Sequence, residues 1–370
     1  MNERQFYIDW IRIFLIFSVF LYHVGMIFNG WGWHIKSDVR IEALNPFMSM
    51  LHAWRMPLLF FVSGAGTRFA LKFRSKGQYT RERTRRLFLP LLIGVFTLVP
   101  VQVYIERVGS YSSLFDFYRH MFEGAYPEGN FSWHHLWFLV YLYFISLLFV
   151  PLIGFFRSRH YLKLEQAVVW LAKKKGALVI LFVPVLISQA LLRPYFPEET
   201  HAFIDDWASI SLFFIYFLYG FILTGNQEIV VNIEQQRRLW LVLSVLSTVL
   251  LFFVPGMMKT SSAGSAVYGL ISYFMSWVIS LAVLGYMRRY MNTDHPLRKP
   301  FNTAIYPFYL LHQPVLIVMA YYVLPIGMPL FAKAMAIIIV SLMVIWFIYQ
   351  WLVSPVNVMR VIFGLQKKRV

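Results

Sequence analysis

Asp9, Arg12 and His23 are the only acidic, basic or histidine side chains in the first long apolar run, Ile8–Phe28. An ionisable group inside a membrane helix is costly, and by default it marks a functional site. Arg12 and His23 are eleven residues apart. At ~100° per residue that is roughly 1100°, three turns plus about 20°, so a helix carries both on one face, about 16 Å apart along its axis. Asp9 precedes Arg12 by one turn and is placed to pair with it. The chemistry open to this set is proton transfer at the imidazole and anion binding at the guanidinium. The plainer alternative is an arginine that snorkels to the headgroups and a satisfied interfacial histidine.

Other stretches carry residues of the same kinds. Tyr306-Pro307-Phe308-Tyr309-Leu310-Leu311-His312-Gln313-Pro314 holds two prolines that break helical hydrogen bonding, with His312 near mid-membrane. Arg55-Met56-Pro57 and Ser63-Gly64-Ala65-Gly66 share a second apolar run. The small residues there let a neighbouring helix approach closely. Arg55 reads as a snorkelling anchor or an anion contact. Phe69–Arg86 is the most basic segment, and its Arg83 and Arg86 share a face if helical. Such a cluster is either an anchor for anionic membrane lipid or a clamp for phosphates. The loop from Glu106 to His135 mixes Tyr111, Phe115, Phe117, Tyr118, Tyr126, Phe131 and Trp133 with Glu106, Asp116, Glu123 and Glu128. That mixture suits a sugar, or an interfacial aromatic belt. His134 and His135 close the loop with no third ligand at a recognisable spacing, so no metal is expected.

These residues need elements to hold them. Only 14% of the 370 residues are charged, 59% are hydrophobic and 19% aromatic. Soluble domains carry about 25% charged residues, so the composition is that of an integral membrane protein. Long unbroken apolar runs favour helices over a barrel. The expected fold is therefore all-α, a membrane bundle with spans at Ile8–Phe28, Phe47–Phe69, Leu87–Ile105, Leu136–Phe156, Ala177–Leu192, Trp207–Leu223, Leu239–Val254, Val267–Tyr286, Asn302–Val323 and Met328–Trp351. The first is read as a retained helix, because Arg12 interrupts it and no Ala-x-Ala site follows. Residues 1–355 form the transmembrane domain and 356–370 a basic cytoplasmic tail.

With the N-terminus in the cytoplasm, 24 of the 34 lysines and arginines fall in inside segments and six in outside ones. That asymmetry orients the chain with both termini inside. It also accounts for most of the +17 formal charge without a nucleic-acid partner. The chain has no cysteine, which excludes thiol nucleophiles, thiolate metal sites and disulfides. No phosphate-binding glycine loop, Gly-x-Ser-x-Gly elbow or His-Glu-x-x-His helix is present.

Five features together resemble the acyltransferase-3 family of bacterial membrane acyltransferases. They are Arg12-x10-His23 after Asp9; Phe60-Phe61-Val62-Ser63-Gly64; Arg83-Thr84-Arg85-Arg86 leading to Pro90; His135-Leu136-Trp137-Phe138; and Tyr309-Leu310-Leu311-His312-x-Pro314. They follow the family's order and cover nearly the whole chain. Tyr22-His23, Trp33-His34-Ile35-Lys36-Ser37 and Arg55-Met56 look most like its periplasmic-glucan succinyltransferase branch. Ile305-Tyr306-Pro307 stands where the family more usually has Ser-Tyr, and this leaves the role of His312 open.

The resemblance implies a multi-pass protein of the bacterial inner membrane. It would move an acetyl or succinyl group from cytoplasmic acyl-CoA to a hydroxyl of an extracytoplasmic carbohydrate or glucan. His23 would be the general base and Arg12 a hydrogen-bonding contact to the donor. Asp9, Ser63, His135 and His312 would support them, and Arg83 and Arg86 would hold the CoA phosphates. Direct attack and a transient acyl-histidine are both compatible with the sequence. A transporter or exporter using His23, His312 and Arg12 as a relay is the alternative of another class.

Overall fold

The computed structural model describes residues 5–253 and 262–368. Arg4, Lys259 and Arg369, counted in the charge asymmetry, and Val254, the expected end of the seventh span, lie outside these residues. Among the described residues the chain is helical, with no strand beyond an isolated bridge between Ala125 and Phe131.

The principal helices are α1 (Phe6–Phe28), α2 (Asn45–Leu71), α3 (Lys76–Arg83), α4 (Leu89–Thr97), α5 (Val99–Glu106), α6 (Leu114–His120), α7 (Trp137–Leu152) and α8 (Arg159–Lys173). They continue as α9 (Phe182–Leu192), α10 (Trp207–Leu223), α11 (Gln227–Gln235), α12 (Arg237–Phe253), α13 (Ser262–Met291), α14 (Arg298–Val323), α15 (Leu330–Ile348) and α16 (Asn357–Ile362).

Among the described residues, six helical stretches are long and apolar enough to cross a membrane: Phe6–Phe28, Lys76–Glu106, His134–Leu152, Gly264–Met291, Arg298–Val323 and Leu330–Val353. A seventh arises if the pair Trp207–Leu223 and Gln227–Gln235, bent by 103°, is one broken span, and Ala177–Leu192 is a shorter apolar helix. These match eight of the ten expected runs. The second run becomes α2, which carries His52, Arg55 and Arg68 and is too polar to pass on composition. Its apolar residues Leu58–Val62 are buried inside the protein. By contrast only 17% of the apolar window in Leu330–Val353 is buried, and Phe331, Met343, Trp346 and Phe347 face outward, as a lipid-facing helix requires.

The chain folds into two compact units with interleaved segments. The first comprises Met1–Leu15, Ser49–Thr80 and Phe144–Lys299. Its helices α2 and α10 meet backbone to backbone. A Cβ on Gly64 would lie 1.9 Å from the Phe217 carbonyl oxygen, and one on Gly220 1.8 Å from that of Phe61. Only glycine permits such an approach, which is the packing expected of the small residues in the second run. In the same unit Arg288 pairs with Glu234.

The second unit comprises Ile16–Met48, Arg81–Tyr143 and Pro300–Val370. Its core joins Phe20, Val24, Ile27 and Phe28 of α1 to Leu316, Ala320 and Val323 of α14 and Ile337 of α15. The α1 residues recur at helical spacing on one face, so burying them fixes the rotation of α1 and with it the direction of His23. Lys36 closes this end of α1. Its amine donates to the carbonyls of Met26 (2.5 Å) and Asn29 (2.6 Å) and to Asn29 Oδ1 (2.9 Å). A cation there satisfies carbonyls left over at a helix C-terminus and offsets its partial negative charge.

Candidate active site

In the second unit, α1 and α14 bring His23 and His312 together across 289 residues of sequence. His312 Nε2 lies 3.0 Å from His23 Nδ1, and the two rings are near parallel at 5.1 Å between centroids. His312 Nδ1 lies 2.5 Å from the Tyr309 carbonyl oxygen. A carbonyl only accepts, so this nitrogen carries the proton and Nε2 of the neutral ring carries the lone pair. His23 Nδ1 must then donate to it. The lone pair of neutral His23 is thereby assigned to Nε2, an inference from the partners rather than from observed hydrogens. His312 is fully buried and His23 half-buried. The indole of Trp33 stacks on the His23 ring, 5.7 Å between centroids at 14°.

His135 supports the same region from a short turn, His134–Leu136, that leads into α7. Pro314 lacks the N–H that would normally serve the carbonyl of Leu310, four residues earlier. His135 Nε2–H supplies the missing donor at 3.1 Å. Gln102 approaches the other ring nitrogen at 3.4 Å, and Tyr309 Oη donates to the His135 carbonyl at 2.5 Å. His135 is therefore a wedge that satisfies the broken backbone of α14, edge-on to His312 at 5.3 Å. Tyr309 opens the motif quoted from the sequence, but Gln102 was not singled out. A polar glutamine in an apolar helix was the available signal for it.

Arg83 and Arg86 lie at the end of α3 and on the wider turn Thr84–Phe88 that follows it. Arg83 is half-buried, and Arg86 is exposed, 3.3 Å from Glu82. Tyr306 Oη donates to the Arg86 carbonyl at 2.6 Å, which ties α14 to the basic turn. Gly364, at φ +69°, lies against Tyr306, so the tail after 356 packs on this turn.

Asp9, Arg12 and Ser63 belong to the first unit. Arg12 Nη1 is 3.7 Å from Asp9 Oδ1, the expected one-turn pair. A closer contact was missed from the sequence: Arg298 Nη1 lies 2.5 Å from Asp9 Oδ2 and its Nη2 2.7 Å from Asp294. Arg298 is wholly buried and also covers the ring of Phe6 at 4.7 Å. Two carboxylates around it offset the cost of burying a guanidinium. Gly66 leaves room for Arg12, whose Nη2 would be 3.5 Å from a Cβ there. Ser63 Oγ is turned back on its own helix, donating to the Leu59 carbonyl at 2.9 Å. Arg55 is buried at 4% exposure, so it does not snorkel.

The aromatic loop is built around Arg107. Its guanidinium donates to Asn130 Oδ1 (2.6 Å) and to the carbonyls of Pro127 (2.7 Å) and Gly129 (2.8 Å). Phe117 is core, whereas Phe115 and Phe122 project outward. The paired histidines part company. His135 joins His312, and His134 turns to His34 and Glu106.

Helices long and apolar enough to cross a membrane, with histidines gathered among them, are those of a multi-span helical membrane protein. The chain matches the family described as "Acyltransferase domain", acyltransferase-3, over residues 5–350, and it belongs to that family. Similar curated proteins are Glucans biosynthesis protein C of Salmonella schwarzengrund, 26% identical over 200 residues, and that of Salmonella typhi, 25% identical over 200 residues. Each of these matches covers 51% of this chain and 49% of the relative. The protein of the same name from Salmonella paratyphi B is 25% identical over 165 residues, 42% of this chain and 41% of its own. The chain thus spans about half the length of the curated relatives it matches. No solved structure matches it.

Proposed function

We propose that the protein transfers an acyl group, acetyl or succinyl, from cytoplasmic acyl-CoA to a hydroxyl of an extracytoplasmic carbohydrate. The relatives' name points to glucan as the acceptor. The proposal includes ten spans in the bacterial inner membrane with both termini cytoplasmic, the arrangement that the lysine and arginine asymmetry supports.

The observation that carries the reading is the hydrogen-bonded series Tyr309 carbonyl, His312, His23. It supports a lone pair on His23 Nε2, as a general base requires. The acceptor hydroxyl gives its proton to Nε2 while its oxygen attacks the thioester carbonyl. The new C–O bond forms, the C–S bond breaks, and the proton passes to the departing CoA thiolate. The positive charge on His23 is shared through Nδ1 with His312, whose own proton rests on a fixed carbonyl. Arg12 keeps the proposed role of hydrogen-bonding the donor, and Arg83 and Arg86 that of holding its phosphates.

The test is release of free CoA from acetyl- or succinyl-CoA by the purified protein, with a glucan acceptor. His23→Asn keeps polarity but loses the base, and turnover should fall by about 10²-fold or more. Wild-type turnover in that variant removes His23 as base. In the same assay, Arg83→Gln with Arg86→Gln should raise KM for the donor and leave kcat largely intact. No acceptor-dependent CoA release from any donor would favour the relay of a transporter.

A further inference from the structure

Three residues of the second unit converge just beyond the histidine pair. His34 follows α1, Glu106 ends α5, and His134 opens the turn before α7. Their ligand atoms lie within 4.8 Å of one another. His34 Nδ1 is 2.6 Å from Glu106 Oε2, and the His34 and His134 rings are 4.4 Å apart between centroids.

The outer contacts of the cluster are arranged to aim it inward. Tyr126 Oη donates to the second carboxylate oxygen of Glu106 at 2.9 Å. Ser132 Oγ accepts the backbone N–H of His134 at 3.0 Å and meets His134 Nδ1 at 3.1 Å. A hydroxyl has two lone pairs, so Ser132 can accept from both nitrogens. That tautomer puts the His134 lone pair on Nε2. His134 Nε2 is buried and has no hydrogen-bond partner among the described residues. His134 also adopts φ +40°, a left-handed conformation that a residue with a side chain rarely takes. A buried nitrogen without a partner and a strained backbone are both costly. They coincide at the residue that faces the other two.

We propose that His34, Glu106 and His134 bind a divalent transition-metal cation of the zinc class. Two imidazoles and one carboxylate are the donor set of a zinc site that keeps a fourth position for water or a substrate oxygen. Zinc–ligand bonds of ~2.0–2.1 Å put tetrahedral ligands about 3.3 Å apart. The cation therefore replaces the His34–Glu106 hydrogen bond and draws His134 Nε2 in. Tyr126 and Ser132 act as the outer partners that fix ligand orientation. The site shares no residue with the proposed base, but Trp33 contacts both His34 and His23.

The experiment uses the full chain, purified in detergent without a polyhistidine tag, stripped with a chelator and titrated with Zn²⁺ or Co²⁺. One equivalent should bind per chain, with a visible Co²⁺ spectrum. Glu106→Gln and His134→Ala should each weaken binding by more than the roughly 100-fold that loss of an outer partner costs at most. Tyr126→Phe should weaken it about 10-fold. His134→Cys should still bind and add a thiolate-to-cobalt charge-transfer band. This variant decides the matter if His134→Ala does not give a monodisperse particle. The proposal is overturned if wild type binds no better than a triple His34→Ala, Glu106→Gln, His134→Ala variant, or if the cysteine variant shows no such band. It is equally overturned if binding is lost instead on removing His52 and His201, the histidines around Glu199 in the first unit.

Discussion

A histidine that rests on a backbone carbonyl has its tautomer chosen for it, and His312 passes that choice on to His23. If the two rings act as one unit, removing either should cost about the same, and removing both little more. Groups that work together in catalysis are strongly non-additive. His312→Ala, His23→Ala and the double variant therefore form a cycle to be read in the CoA-release assay. Fully multiplicative losses would mean that the 3.0 Å contact between them plays no part in the chemistry. The sequence pointed to both residues by the cost of an ionisable group in an apolar run. It could not pair them, because no periodicity links positions 289 residues apart. Arg298 was missed for a related reason. It sits at a span's end among other basic residues and reads as one more orienting charge, yet it is wholly buried against Asp9.

At the level of elements, the proline in α14 and the histidine before α7 form a reciprocal arrangement. Pro314 exposes the Leu310 carbonyl, and His135 takes it. His135→Ala should leave a buried carbonyl unserved and lower stability by about 1–3 kcal/mol. Pro314→Ala in the same background returns an N–H to the helix ladder and should recover part of that loss. Thermal unfolding in detergent measures both. If the second change recovers nothing, His135 is not substituting for the ladder bond. The prolines and His312 marked this helix as one with interrupted hydrogen bonding, although it runs unbroken from Arg298 to Val323. The partner in the loop after α6 was invisible, since nothing in His-His-Leu-Trp says which histidine turns inward. The expected second span shows the opposite limit. The sequence gives α2 its correct bounds to within a few residues, but its burial comes from glycines that admit the backbone of α10.

For the whole molecule, the proposed orientation places Lys36 outside. Burial, with Arg40 adding to it, pushes its amine down to about 8. Lowering the pKa of a base raises its neutral, nucleophilic fraction at a given pH. At pH 8 about half of this amine is unprotonated, against roughly 1% or less of an ordinary lysine near ~10.4. An impermeant amine-acylating reagent applied to cells with an opened outer barrier should label Lys36 with a half-maximum near pH 8, and should not reach Lys174. Cysteines introduced at positions 119 and 205 should react from the same side, and those at 76 and 174 should not. The chain has no native cysteine to confuse the result. Labelling confined to 76 and 174 would invert the chain and move the donor to the wrong face. A half-maximum near pH 10 would return Lys36 to an ordinary amine. Charge asymmetry was legible across the entire sequence because loop composition alone carries it. The cluster of His34, Glu106 and His134 was not, because its members come from three separate loops and helix ends.

The parallel stack of Trp33 on His23 has an optical consequence. An indole face attracts a cation, so the ring of Trp33 meets a charge whenever the imidazole beside it takes up a proton. The same contact quenches indole fluorescence once that imidazole is charged. The chain holds twelve tryptophans. With the other eleven changed to phenylalanine, the emission of Trp33 becomes a light signal for the proton on His23. It should dim as each turnover loads that proton and brighten as the departing thiolate removes it.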